Sequence, residues 1–202
     1  MYQLTGGGAQ RRALVLANAL AARGHRVDVV LISAQTRFRD KLSPAVRLLC
    51  LESPEWGRLH ARLHRLLPYR WVRVYLGMLP LIRYISRERP AVLLSAANRV
   101  TLASVLAWRL AGRPLPLVLR ASNYPLANLN LWPPLRSAIR QYLRWLANRM
   151  YPDADAVIAV SDGVAEAIIR LTGLSRARIT TIYNPVVDAA LLEKIREPIE
   201  HP

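Results

Sequence analysis

The sequence predicts an α/β fold: an open, doubly wound, mostly parallel sheet with helices on both faces. Short apolar runs alternate with longer helical segments along the chain, which is the order that a parallel sheet with crossover helices requires. The apolar runs are largely continuous, as expected of strands that are buried on both faces. With 202 residues, 52% of them hydrophobic, the chain can form one domain with a substantial core.

The first predicted unit is a helix over residues 10–23 followed by a strand over residues 27–32. The helix segment is rich in alanine and leucine, and Gly24 stands where a helix commonly ends. Further strands are predicted over residues 46–51, 91–95, 115–120, 156–160 and 179–183. Further helices are predicted over residues 100–111, 135–151 and 162–171, with Ser161 as the N-cap of the last.

Three glycines, Gly6, Gly7 and Gly8, precede the first helix. Glycine lets the backbone approach a ligand closely, and a helix N-terminus carries partial positive charge. The run therefore predicts a site for a phosphate or another anion. A plain flexible turn is the alternative that the glycines alone leave open.

The charge of the chain is strongly positive, with a formal net charge of +16 that comes almost entirely from arginine. Such an excess indicates an anionic partner, namely phosphate groups, nucleic acid or a membrane surface, although a general bias toward arginine is an alternative. The single cysteine, Cys50, excludes an internal disulfide. No signal-peptide pattern and no bilayer-spanning apolar window is visible, so we expect a cytoplasmic protein.

Two stretches, residues 56–89 and 135–151, combine leucines at helical spacing with interleaved arginines and with tryptophan or tyrosine. This composition suits an amphipathic helix that lies on an anionic membrane, here the inner face of the cell membrane. A helix that packs on the sheet and exposes a basic face explains it equally well. Pro68, Gly77 and Pro80 predict breaks or kinks within the first stretch.

Polar side chains follow four of the predicted strands. Because the carboxyl ends of parallel strands meet at one edge of the sheet, we expect these side chains to gather near the glycines. They are Ser95, Asn98 and Arg99; Arg120, Ser122 and Asn123; Ser161 and Asp162; and Asn184.

Three segments carry a resemblance to a known family. They are the glycine run with its helix and strand, the segment Asp153–Val164, and the segment Arg178–Val186. In this order they resemble glycosyltransferase family 4 over essentially the whole chain. The resemblance implies a retaining, nucleotide-sugar-dependent enzyme of GT-B fold, made of two Rossmann-like domains, that transfers a hexosyl group to a glycan or lipid-linked acceptor, as in polysaccharide biosynthesis.

The resemblance identifies the chain with the acceptor-side domain over residues 1–185, with residues 186–202 beginning the interdomain linker. It implies neither a metal nor another cofactor, and it assigns no catalytic residue. The donor loop corresponds to Gly6, Gly7 and Gly8. The side chains implied to bind the acceptor or line the cleft are Asn98, Arg120, Ser122, Asn123, Ser161 and Asn184.

Three departures from the family pattern limit this interpretation. Ser122 stands where many members have a histidine, which removes an imidazole from the site. Only Met1–Leu4 precede the glycine run, so the first strand of the domain is expected to be largely missing. The donor-binding domain with its glutamate pair is absent, so we expect a truncated chain that is inactive without that domain.

Other function classes find little support in the sequence. The glycines lack the spacing of a dinucleotide fingerprint, no Walker-type lysine follows them, and His60 and His64 lack further metal ligands. A non-catalytic fragment or binding module is the main alternative. A basic nucleic-acid-binding protein is a weaker one, since most aromatic residues fall at core-like helical positions, and no nucleic acid partner is expected.

Overall fold

The computed structural model describes residues 8–32, 39–51, 77–96, 98–122 and 133–184. Its helices are α1 (Gly8–Ala22), α2 (Met78–Glu88), α3 (Asn98–Leu110), α4 (Pro133–Met150) and α5 (Asp162–Thr172). Its strands are β1 (Val27–Leu31), β2 (Val46–Cys50), β3 (Leu93–Ser95), β4 (Leu117–Ala121), β5 (Ala156–Ala159) and β6 (Ile179–Thr181). This order confirms the predicted α/β class.

Helix α1 ends as the sequence predicts. Gly24 adopts a left-handed conformation with φ 85°, its N–H bonds the carbonyl of Ala21, and the N–H of His25 bonds the carbonyl of Leu20. This pair of bonds is a Schellman motif, which satisfies the last carbonyls of the helix and turns the chain into β1.

The described strands pair in parallel, as the sequence predicts, and they form one group of two strands and one group of four. Strand β1 pairs with β2, with Val27 opposite Val46. The other four strands follow the order β3-β4-β5-β6. Among the described residues no strand joins β1 to β3.

The larger core surrounds β4 and β5. Leu117, Leu119 and Val157 are almost wholly buried there, and they pack with Ile168 of α5 and Ile85 of α2. A smaller core joins α1 to the two-stranded sheet. The central strand β4 is buried along nearly its whole length, as its continuous apolar run predicts.

Helix α2 links the two sheets. The hydroxyl of Tyr84 donates a hydrogen bond to Asp28 of β1 at 2.8 Å, and Arg47 of β2 forms ion pairs with both Asp28 and Glu88. Ile85 of the same helix is fully buried in the larger core. The described part of the first basic stretch is therefore a packing helix, while residues 52–76 lie outside the described residues.

The break predicted at Pro80 is wrong. Gly77 is the N-cap of α2, and Pro80 lies in its first turn. A proline is tolerated there because the first N–H groups of a helix have no partner within the helix.

Candidate functional site

The carboxyl edge of the four-stranded sheet carries the candidate site. Strand β4 ends at Ala121, and it places Arg120 and Ser122 at this edge. The chain leaving β6 reaches the same edge, where the N–H of Ile182 bonds the carbonyl of Ala159 and Asn184 follows two residues later. Side chains that are 64 residues apart in sequence thereby come into contact.

The contacts of Arg120 define the centre of the site. One guanidinium nitrogen, Nη1, donates to Ser122 Oγ at 3.1 Å, and the other, Nη2, donates to Asn184 Oδ1. Ser122 Oγ in turn donates to the carbonyl of Ala96, just after β3, at 3.4 Å. The Arg120 residue is only 9% exposed, so these contacts hold a buried cation in a fixed orientation.

The electrostatics of this centre are positive. Burial, and then the charge of Arg12 on α1, lower the pKa of Arg120 from its ordinary value. Arginine nevertheless remains protonated in proteins. Among the described residues no carboxylate forms an ion pair with either arginine. A guanidinium group without a carboxylate partner suits an anionic ligand, because the fork of arginine matches phosphate oxygens.

Ser161 reaches the same edge as the N-cap of α5. Its hydroxyl accepts a hydrogen bond from the N–H of Val164 at 3.3 Å, as the sequence predicts. The cap fixes the first turn of α5 and with it the carboxylate of Asp162.

Asp162 forms hydrogen bonds that position the segment leading from β6 to Asn184. Its carboxylate accepts hydrogen bonds from the hydroxyls of Thr181 and Tyr183, each at 2.8 Å. These two bonds, and then the charge of Arg176, hold the pKa of Asp162 below its ordinary value. The Asp162 cluster (Asp162, Arg176, Thr181 and Tyr183) therefore positions the exit from β6.

The remaining predicted residues are placed as follows. Gly8 is the exposed first residue of α1, and no described atom lies within 4 Å of the place that a Cβ would take. Asn98 is the first residue of α3, and only its backbone is described. Gly6, Gly7 and Asn123 lie outside the described residues, as does Arg99 beyond its backbone.

Sequence reasoning missed Arg12, and although it placed Asp162 at this edge, it missed the partners of that carboxylate in the Asp162 cluster. Arg12 lies on a helix whose spacing alone shows no relation to β4, and the cluster depends on how α5 packs beside β6. The only local signal is the serine cap that places Asp162 in the first turn of α5.

Metal binding and membrane insertion find no support in the described residues. In those ranges no group of three or more histidine, cysteine or carboxylate side chains could hold a metal ion. None of the described helices has both the length and the apolar character needed to cross a bilayer.

Comparison with known proteins identifies the family. The model of Glycosyltransferase Family 4 matches residues 6–189. The crystal structure of HepE from Anabaena in complex with UDP is similar, with a TM-score of 0.56 and 17% sequence identity over 97% of this chain and 49% of HepE. HepE with UDP and glucose gives a TM-score of 0.55 and 17% identity over 96% of this chain and 48% of HepE. The chain thus spans about half the length of that protein, and no curated protein matches it significantly.

Proposed function

Because the chain belongs to glycosyltransferase family 4, we propose that it is the acceptor-side half of a nucleotide-sugar-dependent glycosyltransferase. In this proposal a hexosyl group passes to a glycan or lipid-linked acceptor with retention at the anomeric carbon, and the chain is inactive alone. The observation that carries the proposal is the buried guanidinium of Arg120, which hydrogen bonds to Ser122 and Asn184 hold in one orientation. HepE, whose fold is similar, is described with UDP and with glucose, which supports a nucleotide-sugar donor.

The proposed role of Arg120 and Arg12 is to stabilise negative charge. When the bond between the anomeric carbon and the phosphate oxygen breaks, the nucleoside diphosphate leaves with the bonding electrons and gains charge. Fixed cations close to that charge favour the transition state because they need not reorganise during the reaction. The N-terminus of α1, with the glycine run ahead of it, adds positive potential at the same edge.

Ser122 and Asn184 orient Arg120 in this proposal. Both accept hydrogen bonds from the guanidinium, so its remaining N–H groups keep a fixed direction. Ser122 offers no group that would exchange a proton near neutral pH, and the site works without an imidazole at this position. Asn98, Asn123 and Ser161 are proposed to line the acceptor side of the cleft, with Gly6, Gly7 and Gly8 facing the donor.

Binding of pyrophosphate and UDP to the chain tests the anion site. Removing an oriented guanidinium from a phosphate costs about 1.5–3 kcal/mol, so Arg120→Gln is expected to weaken binding about 10- to 100-fold. Arg120→Lys keeps the charge but loses the planar fork of the guanidinium. Its affinity for pyrophosphate and UDP is expected to lie between that of the wild type and that of Arg120→Gln. Arg87→Gln, which neutralises an exposed arginine of α2, is the matched control. Equal binding by wild type and Arg120→Gln would contradict the assignment.

A peripheral position on the inner face of the cell membrane is the second part of the proposal. On α4, the rings of Tyr142 and Trp145 stack with centroids 6.0 Å apart, and both residues are more than half exposed. Arg149 lies over the Trp145 ring at 5.1 Å, and Arg140 and Arg144 are exposed on the same helix. Exposed aromatic rings beside arginines are typical of helices that bind an anionic interface.

Co-sedimentation with vesicles containing one third anionic lipid tests this surface. Neutralising Arg140, Arg144 and Arg149 is expected to cost about 1 kcal/mol per arginine, and binding should fall as salt is raised. Trp145→Ser is expected to weaken binding, whereas Leu110→Ser, at an exposed apolar residue of α3, should not. The membrane role would be refuted if co-sedimentation with vesicles were unchanged after the arginines are neutralised. It would also be refuted if duplex DNA displaced the protein from the vesicles.

A further inference from the structure

The segment that leaves β6 makes little use of backbone pairing or core packing. Its last described backbone hydrogen bond joins the N–H of Ile182 to the carbonyl of Ala159. Ile182 is 52% exposed and Tyr183 is 64% exposed, so burial contributes little to holding them in place. Side-chain hydrogen bonds therefore decide the position of Asn184, which follows directly.

Asp162 accepts the hydrogen bonds that hold this segment. Its Oδ1 accepts from the hydroxyl of Thr181 and its Oδ2 from the hydroxyl of Tyr183, each at 2.8 Å. Nη2 of Arg176 donates to the same Oδ1 at 3.2 Å and to the Thr181 hydroxyl at 3.0 Å. One carboxylate on α5 thus binds the side chains on both sides of Ile182.

Two consecutive residues of the segment bond to different elements. Tyr183 bonds to Asp162 on α5, whereas Asn184 accepts a hydrogen bond from Arg120 on β4. The Cα atoms of neighbouring residues are only about 3.8 Å apart, so a shift of the Tyr183 backbone passes directly to Asn184. Hydrogen bonds weaken steeply once their geometry is lost. The contact with Arg120 therefore depends on the contact with Asp162.

We propose that Asp162 is a positioning residue for the anion site, which holds Asn184 against Arg120 through Thr181 and Tyr183 and contacts no anion itself. Because Arg120 is the group that would bind phosphate, this role rests on the proposed function. It gives the Asp162 cluster an effect on ligand affinity as well as on the stability of α5 and β6.

The charge of Asp162 gives this role a distinctive sign. Hydrogen bonds from Thr181 and Tyr183 hold the pKa of Asp162 below its ordinary value, so its carboxylate is ionised at neutral pH. If charge alone mattered, removing a carboxylate from the edge that carries the anion site would leave anion binding unchanged or strengthen it. A positioning role predicts weaker binding instead.

Calorimetric titration of the full chain with pyrophosphate tests the sign. Asp162→Ala is expected to weaken binding about three- to tenfold, the loss expected of Asn184→Ala itself, because both remove one orienting hydrogen bond from Arg120. Tyr183→Phe changes no charge and leaves Thr181 in place, so it is expected to weaken binding about twofold. Glu166→Ala is the matched control. It removes an exposed carboxylate of the same helix that pairs with Arg170, and it should not weaken binding.

A double-mutant cycle separates positioning from a general loss of stability. In the Asn184→Ala background the contact with Arg120 is already gone, so Asp162→Ala should change pyrophosphate affinity by less than about twofold. The Tm of each variant is measured first, and every titration is run at a temperature where all variants are folded. If Asp162→Ala does not fold, Tyr183→Phe replaces it in the cycle, since it removes only a hydroxyl from an exposed residue.

The possible outcomes distinguish this role from the anion site itself. Binding by Asp162→Ala that equals or exceeds that of the wild type would overturn the positioning role and leave Arg120 as the anion site. Equal losses with and without Asn184 would also overturn it. Absence of pyrophosphate binding by the wild type would overturn the proposed function and the positioning role together.

Discussion

Arg120 owes its orientation to neighbours from separate parts of the chain. Ser122 follows it on the same strand, Asn184 comes from the exit of β6, and Arg12 lies on α1. The sequence places Ser122 and Asn184 at the correct edge, because parallel strands share a carboxyl edge. It could not predict which of them bonds Arg120, since that depends on the register of three strands.

The contact between Asn184 and Arg120 leads to a graded prediction at the residue scale. Asn184→Ala removes one acceptor but leaves the guanidinium and Ser122 in place. We expect pyrophosphate binding to weaken about three- to tenfold, less than in Arg120→Gln, because an orienting hydrogen bond contributes about 1 kcal/mol. Titration calorimetry measures it. A larger loss than in Arg120→Gln would contradict the orienting role.

Tyr151 gives a pH-dependent prediction at the same scale. Burial raises the pKa of Tyr151 to about 12, so the folded state resists its ionisation. The protonated hydroxyl therefore contributes up to about 2–3 kcal/mol to the free energy of unfolding. This contribution is fully present below pH 10 and is lost as the pH rises toward 12. We expect Tyr151→Phe to reduce this alkaline loss in urea unfolding at pH 8 and pH 11, with little change at pH 8. If Tyr151→Phe and the wild type lost the same free energy of unfolding between pH 8 and pH 11, the prediction would be contradicted.

At the scale of elements, local signals predict the helices and strands well. Gly24 ends α1, Ser161 caps α5, and the buried apolar runs become strands. The error at Pro80 arises because proline has opposite consequences in the first turn and in the interior of a helix. The sequence does not show on its own where that first turn begins.

Loss of the N-cap of α5 is expected to change the candidate site as well as the stability of the helix. We expect Ser161→Ala to lower the free energy of unfolding by about 1 kcal/mol, because the N–H of Val164 loses its partner. The change should also loosen the exit of β6, since Asp162 lies in the first turn of α5. Urea unfolding and amide exchange at Ile182 report the two effects. Ser43→Ala, which removes the acceptor of the Ala45 N–H just before β2, is the control and should leave Ile182 unchanged.

At the scale of the whole molecule, the grouping of the described strands into one pair and one set of four is what sequence reasoning predicts least completely. Sheet pairing depends on contacts between distant segments and not on local propensity. The structure shows what bridges the two groups: Tyr84 and Glu88 of α2 bond Asp28 and Arg47 of the two-stranded sheet.

This bridge makes a prediction about cooperativity. Tyr84→Phe removes the hydrogen bond to Asp28 and should destabilise the two-stranded sheet by about 1 kcal/mol. We expect amide exchange to rise in β1 and β2 while β4 and β5 stay protected, because the larger core does not use that hydroxyl. Uniform acceleration in all strands would show that the two sheets unfold as one unit.

The central claim is that the chain is half of a glycosyltransferase, and the most direct test supplies the other half. The chain is fused through its linker to the donor-binding domain of a family member, and transfer of labelled sugar is measured with a panel of nucleotide sugars. We predict that the fusion binds a nucleotide sugar and transfers the hexose, and that Arg120→Gln abolishes transfer whereas Arg87→Gln does not. A folded fusion that binds no nucleotide sugar would contradict the account.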